Sequence, residues 1–395
     1  MTPLPILYVH GSADVYGSDK LLLELAAGLD RTRYEPIVVV PTEGPLVSAL
    51  EERGVDVDVR ELSVLHRSVS PRYWLRFVGR LPASVRAMRK LIEQRGVHLV
   101  HTNTSHVYDG ALAARAAGVA HVWHVREVHT GLSVIGGPLS RMIYHYSDAV
   151  IVMSAAVDEA FFGARRDKEG RIHKVFDGVD VGRFHPGNSG SEIRAEVGLG
   201  PDTPLVGVVG RIAHWKGHRL FLRAAARVSQ CLRDVHFLVV GDTVTAGDRR
   251  VREDLLRLVE ELGLEDAVTF AGVRADVPQV MAALDVLVLP SELPEPWGMV
   301  VLEAMATARP VVATRQGGPL EAVVDGETGY LVSPDDPATM AQAILDLLET
   351  PERSLAMGKR GRLRCEQRFS QVQTHREIAE LYDAVLNDRR EKARR

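Results

Sequence analysis

Short runs of β-branched and apolar residues alternate with stretches of helical period almost from one end of the chain to the other. In the first half the runs are ILYVH (6–10), PIVVV (36–40), VDVDVR (55–60), HLVHTN (98–103), HVWHVRE (121–127), AVIVMS (149–154) and IHKVF (172–176). Amphipathic stretches fill most of the gaps, the pattern of βαβ units and a parallel sheet. The rhythm breaks over residues 177–204, which are rich in Gly, Pro, Asp and Ser. It restarts with LVGVVGR (205–211), FLVVGD (237–242), VTFAG (268–272), VLVLPS (286–291), PVVAT (310–314) and GYLV (329–332). The fold class this predicts is α/β, with two doubly wound parallel-sheet domains. Residues 1–188 form the first domain, 189–204 a linker and 205–365 the second domain; 366–395 form a C-terminal helix and basic tail expected to pack back on the first. Two such domains set the carboxyl ends of two sheets across a cleft, where open α/β sheets take their ligands.

Composition narrows the function classes. At 395 residues the chain is long enough for two cores, and 46% hydrophobic with 25% charged residues is globular. A net charge of −4 gives no general pull towards nucleic acid. Cys231 and Cys365 match no metal or redox spacing, so a reduced, cytoplasmic compartment is expected. The first residues, MTPLPILYVHG, lack the basic n-region and apolar length of a signal peptide, and no window approaches a membrane span.

The candidate chemistry lies in loops that follow strands. GRIAHWKGH (210–218) sets Arg211 and Lys216 at a strand-to-helix junction, where free N–H groups and the helix dipole already favour an anion. Only seven of the 48 basic residues are lysines, which makes Lys216 more informative. The arrangement suits a diphosphate; two solvated surface cations is the bland alternative. Neither G-x-G-x-x-G nor G-x-x-x-x-G-K-[ST] occurs, so dinucleotide oxidoreductases and P-loop enzymes lose their usual warrant. The loop after the first run, HGSADVYGSDK (10–20), carries Gly11 and Gly17, which let backbone approach a ligand, and Ser18 or Asp19 as helix cap. In EPWGMVVLEAMATARP (295–310) Glu303 is the only charge from Pro296 to Ala308. If a helix starts near Gly298, Glu303 falls in its second turn and Glu295 in the loop before it. Each carboxylate can then accept bonds from vicinal hydroxyls of a ribose or a hexose, and pairing with a nearby Arg or Lys is the alternative.

EPWGMVVLEAMATARPVVAT followed by GGPLEAVVDGETGYLV resembles the E-x7-E donor-site signature of the family 4 retaining glycosyltransferases of GT-B fold. The resemblance extends to Gly210, Arg211, Lys216 and Gly217, to FAGVRADVPQVMAALDVLVLPS (270–291), and to FDGVDVGRFHP (176–186). It implies two Rossmann-like domains, a nucleotide-diphosphate sugar as donor and a hydroxyl acceptor: a glycan, a lipid-linked molecule or a natural-product aglycone. By the same resemblance Arg211 and Lys216 hold the leaving diphosphate, Glu303 the ribose, and Glu295, with backbone groups of Trp297, Gly298, Met299 and Val300, the transferred sugar. Gly272, Val273 and Arg274 lie along the base, and Gly17 approaches the donor. His124 matches a histidine near the reacting carbon, and Tyr16, His124 and Arg126 become the acceptor side. His124, Arg211, Lys216 and Glu295 are the residues expected to act in transfer. Departures from the family pattern are Asp177 for asparagine, Ala308 and Arg309 for Gly-Lys, and a first loop that is not G-G-x-E.

No cofactor and no metal is expected. Asp56 and Asp58 form a D-x-D, but period 2 in VDVDVR puts both on the polar face of a strand and turns the valines inward. His98, His101, His106, His121 and His129 read as structural, with His121 and His124 on opposite strand faces. Residues 66–95 interleave eight basic residues, from Arg67 to Arg95, with Trp74, Leu75, Phe77, Val78 and Leu81; peripheral contact with anionic lipid is weighed there against a solvated helix. Rival functions on the same architecture are a non-hydrolysing nucleotide-sugar epimerase and a non-catalytic nucleotide-sugar binding protein.

Overall fold

The computed structural model describes residues 2–65, 70–128, 133–163, 167, 169–243 and 246–394. His66, Arg67 and His129 lie outside them. Two compact units emerge, the first of residues Met1–Phe176 with Thr374–Arg395, the second of Asp177–Gln373.

The first unit carries a seven-stranded parallel sheet in the order β3-β2-β1-β4-β5-β6-β7. Its strands are β1 (Leu4–Val9), β2 (Tyr34–Val40), β3 (Asp56–Val59), β4 (Leu99–Thr102), β5 (Ala120–Val125), β6 (Ala149–Val152) and β7 (Ile172–Lys174). The central strands are buried on both faces, which is why they read as continuous apolar runs. Ile378, Leu381, Tyr382, Val385 and Leu386 of the C-terminal helix Gln371–Arg394 share one core with Leu22, Leu25, Tyr34 and Val38. The contact is close: a Cβ on Gly28 would collide with the ring of His375. Polar ties fasten the same helix, with Arg389 Nε donating to Asp148 Oδ1 at 3.0 Å.

In the second unit six parallel strands run in the order β10-β9-β8-β11-β12-β13. They are β8 (Leu205–Val209), β9 (His236–Val240), β10 (Val268–Gly272), β11 (Val286–Leu289), β12 (Val311–Thr314) and β13 (Tyr330–Val332). Residues 177–204 belong to this unit and include the helix Ser191–Glu196. Arg194 ties that helix to Asp285 at 2.7 Å, and the Trp297 indole donates to the Asp177 carbonyl at 2.8 Å. Helix starts follow local chemistry: Ser154 accepts from Val157 N, Asp336 accepts from Ala338 N and Thr339 N, and proline opens the helices at Pro337 and Pro351.

Each strand order reverses once, between β1 and β4 in the first unit and between β8 and β11 in the second. Loops after those strands are where a doubly wound sheet leaves room for a ligand.

Candidate functional site

In the second unit the two loops at the reversal are residues 210–217, after β8, and 290–298, after β11. Gly217 has φ of +71°, and a Cβ there would fall on the Pro290 carbonyl oxygen, so glycine is what lets the two loops meet. Residues His214–Lys216 make one 3₁₀ turn before the helix His218–Cys231. The turn brings two cations to the Trp215 ring. Lys216 Nζ lies 4.2 Å and the Arg211 guanidinium 6.0 Å from the indole centroid.

The two cations differ in what they touch. Lys216 Nζ lies 2.6 Å from Glu295 Oε1, and Ser291 Oγ donates to the same carboxylate oxygen. Arg211 is exposed, and its side chain makes no ion pair or hydrogen bond among the described residues. Glu295 is buried, and its backbone is held as firmly as its side chain. Gly318 N donates to the Glu295 carbonyl at 2.8 Å, and Gly317, at φ +68°, has no room for a side chain against it. Gly298 (φ +89°) turns the chain into the helix Met299–Ala306, whose first N–H groups have no acceptor within the helix. Val301, Leu302, Ala304 and Met305 are buried while Glu303, in the second turn, is half-buried, so the charge sits at the margin of the apolar run. Trp297 is sunk against Phe369, ring centroids 5.5 Å apart.

The loop after β10 contributes a third edge. Gly272 (φ +67°) follows a register shift, and Val273 is 75% exposed. Arg274 is committed to Glu196 at 2.6 Å and Asp276 at 2.7 Å, and those two bonds raise its pKa further. The geometry leaves the backbone and Val273, rather than the Arg274 head group, open on this loop.

In the first unit, Tyr16 is half-exposed and an added Cβ on Gly17 would meet nothing, which leaves that turn open. Asp19 caps the helix Gly17–Gly28 by accepting from Tyr16 N at 2.8 Å and meets His10 Nε2 at 2.6 Å. His124 is fully buried on β5 beside His101, ring centroids 5.4 Å apart. Burial first, then the Arg126 charge, hold the His124 pKa well below the usual histidine value. Arg126 is buried too, its guanidinium bonded to Asn103 Oδ1 at 2.9 Å and to His124 Nδ1 at 3.2 Å. His121, on the other face, bonds Thr102 Oγ1 at 2.9 Å, and burial takes its pKa down to about 3.

Asp56 and Asp58 lie on the edge strand β3, paired with Arg95 and Arg60. Val57 packs inward, but Val59 is exposed at the strand's end. Among the described residues no group of three His, Cys, Asp or Glu is disposed to hold a metal ion. Sequence reasoning passed over Ser291, which bonds Glu295 four residues on, and His10 and Asn103, which bond each other across 93 residues. It also missed Glu127. Burial would raise that carboxyl, but bonds with His106, Thr104 and Ser105 outweigh burial and bring it down to about 2.

Two facing kinds of evidence, topology and kinship, agree on the class. The structure of Anabaena HepE in complex with UDP and glucose matches with a TM-score of 0.81 and 26% identity, over 96% of this chain and 99% of that one. Two parallel sheets of this strand order, with that neighbour, show the GT-B fold. A family described as "Glycosyltransferase Family 4" matches residues 15–183, and one described as "Glycosyl transferases group 1" matches 203–350. The D-inositol 3-phosphate glycosyltransferase of Segniliparus rotundus is 39% identical over 48% of this chain and 42% of its own length. The lipopolysaccharide core mannosyltransferase LpsB of Rhizobium meliloti is 33% identical over 54% and 60%. Those two matches thus span about half the length of the curated relatives. The alpha-maltose-1-phosphate synthase of Mycolicibacterium smegmatis is 31% identical over 73% of this chain and 79% of its own. The chain belongs to glycosyltransferase family 4.

Proposed function

We propose that the protein transfers a sugar from a nucleoside diphosphate sugar to a hydroxyl acceptor, with retention of anomeric configuration and without a metal. The observation that carries this is the loop after β8. There Arg211, whose guanidinium makes no ion pair or hydrogen bond among the described residues, shares the Trp215 ring with Lys216, and Lys216 is held by the buried carboxylate of Glu295. Anabaena HepE has been solved with UDP-glucose, which supports a donor of this kind. The relatives are named as a glycosyltransferase, a mannosyltransferase and a synthase, and nothing in those names favours an epimerase.

In this reading the bond from the anomeric carbon to the diphosphate breaks, and the pair stays on the departing phosphate oxygen. Arg211, Lys216 and the helix N–H groups stabilise the charge that grows there, fixed in place before the reaction. The acceptor oxygen forms the new bond to the anomeric carbon and gives its proton to the leaving phosphate. Glu303 accepts from the ribose hydroxyls, residues 272–274 flank the base, Gly17 approaches the donor, and Glu295 with the backbone of 297–300 takes the sugar. His124 lies near the reacting carbon, and Tyr16 is on the acceptor side. Incubation with nucleotide sugars tests the reading. Donor consumption that requires an acceptor, with the product's anomeric configuration unchanged by NMR, is expected; a sugar nucleotide altered without acceptor would replace the reading with the epimerase.

Work at the inner face of a membrane is the second part of the proposal. The helix Pro71–Gln94 exposes Leu75 and Val78, 77% and 63% accessible, among exposed Arg72, Arg76 and Arg80. No helix among the described residues is long and apolar enough to cross a membrane. Cosedimentation should be stronger with phosphatidylglycerol than with phosphatidylcholine vesicles, and equal pelleting would remove this part.

A further inference from the structure

Which nitrogen of His124 carries the proton follows from its neighbour. The Arg126 Nη2 lies 3.2 Å from His124 Nδ1. A guanidinium offers donors and no acceptor, so Nδ1 must accept, and the neutral ring holds its proton on Nε2. That Nε2–H is buried with no partner among the described residues. A donor so placed is costly unless an acceptor arrives.

Arg126 is itself anchored. Its Nε donates to Asn103 Oδ1 at 2.9 Å, and Asn103 Nδ2 lies 3.3 Å from His10 Nδ1. His10 Nε2 meets Asp19 Oδ1 at 2.6 Å, and Asp19 Oδ2 takes the Tyr16 N–H. A continuous line of bonds thus runs from the loop after β1 to the ring of His124. Among the described residues the other titratable group facing that ring is His101 of β4, whose Nδ1 is tied to Tyr382 Oη at 2.6 Å, with Tyr8 beyond it.

We propose that Arg126 is a positioning residue that fixes His124 as the Nε2–H tautomer in a single orientation, so that the imidazole serves as a hydrogen-bond donor to an oxygen of the transferred sugar. The role rests on the reading that His124 faces that sugar, and it moves Arg126 from the acceptor side to the support of the histidine. Because His124 stays neutral, activity should lack an acidic limb near the ordinary histidine range.

The test pairs a spectroscopic and a kinetic readout. In ¹⁵N-histidine spectra of the wild-type enzyme, with His124 assigned by its disappearance in His124→Gln, the ring should remain Nε2–H from pH 8 to pH 5.5. Arg126→Met should populate the other tautomer or the imidazolium. It should also lower kcat on the order of tenfold to a hundredfold with donor KM little changed, and add an acidic limb. An Nδ1–H or titrating His124 in the wild type overturns the positioning role, whether or not Arg126→Met folds. Wild-type kcat in His124→Ala instead overturns the site reading, and the positioning role falls with it.

Discussion

Lys216 Nζ and Glu295 Oε1 lie 2.6 Å apart although 79 residues separate them in the chain, and the carboxylate is buried. The pair joins the loop after β8 to the loop after β11. One ammonium has three donors, so Lys216 can hold Glu295 and still reach an anion.

Lys216→Ala should therefore destabilise the second unit as well as impair transfer. Removing the cation strands a buried carboxylate, which costs about 2–4 kcal/mol, with Ser291 still donating to it. The double variant Lys216→Ala/Glu295→Ala should lose less stability than the sum of the singles. Strict additivity in urea titrations would mean that the two side chains are not coupled.

Arg211→Ala should separate catalysis from folding. With no ion pair or hydrogen bond to lose among the described residues, its stability should stay within about 0.5 kcal/mol of wild type. Its kcat should fall on the order of a hundredfold to a thousandfold, the usual loss when a fixed donor to a leaving charge is removed. A stable enzyme with near wild-type turnover would take Arg211 out of the site.

Ala308→Gly should stabilise the protein. Ala308 is the single non-glycine residue at positive φ (+57°) among those described, and it follows the helix Met299–Ala306. Relief of left-handed strain, less the added freedom of glycine in the unfolded chain, leaves about 0.5–1 kcal/mol. A higher urea midpoint with an unchanged slope checks this; a lower midpoint contradicts it.

Acid should weaken the fold through its buried histidines. Burial holds His218 down to about 4 and His121 to about 3, and drives His101 and His124 down as well. A histidine whose folded pKa lies below its unfolded value binds its proton on unfolding, so stability is full above about 6.5 and is lost as pH falls towards the folded values. At pH 5 the loss should be on the order of 1–2 kcal/mol each for His121 and His218. A flat urea midpoint from pH 7.5 to pH 5 would show that these rings are already solvated.

The fold was legible because thirteen apolar runs alternate with helical stretches, and each became a strand within a few residues of its expected bounds. Doubly buried strands write themselves as continuous Val, Ile and Leu, which no loop imitates. The candidate site was legible where glycine and charge mark a turn after a strand, as at Arg211, Gly217 and Gly298. Less visible were pairings across the chain: Glu295 with Lys216, 79 residues away, or Arg126 with Asn103, 23 residues away. A polar side chain in a strand or loop carries no local sign of which distant partner it will meet. Arg274 illustrates the point, because its ion pair with Glu196 depends on a helix 78 residues earlier, while only the pair with Asp276 is local.

Titration calorimetry of the wild type and Arg211→Ala with UDP, GDP and ADP, in buffer containing EDTA, tests the donor site most directly. The account predicts that the wild type binds at least one of the three without metal and that Arg211→Ala weakens that binding tenfold or more. Binding of none of them by the wild type, or equal affinity in the variant, would contradict it.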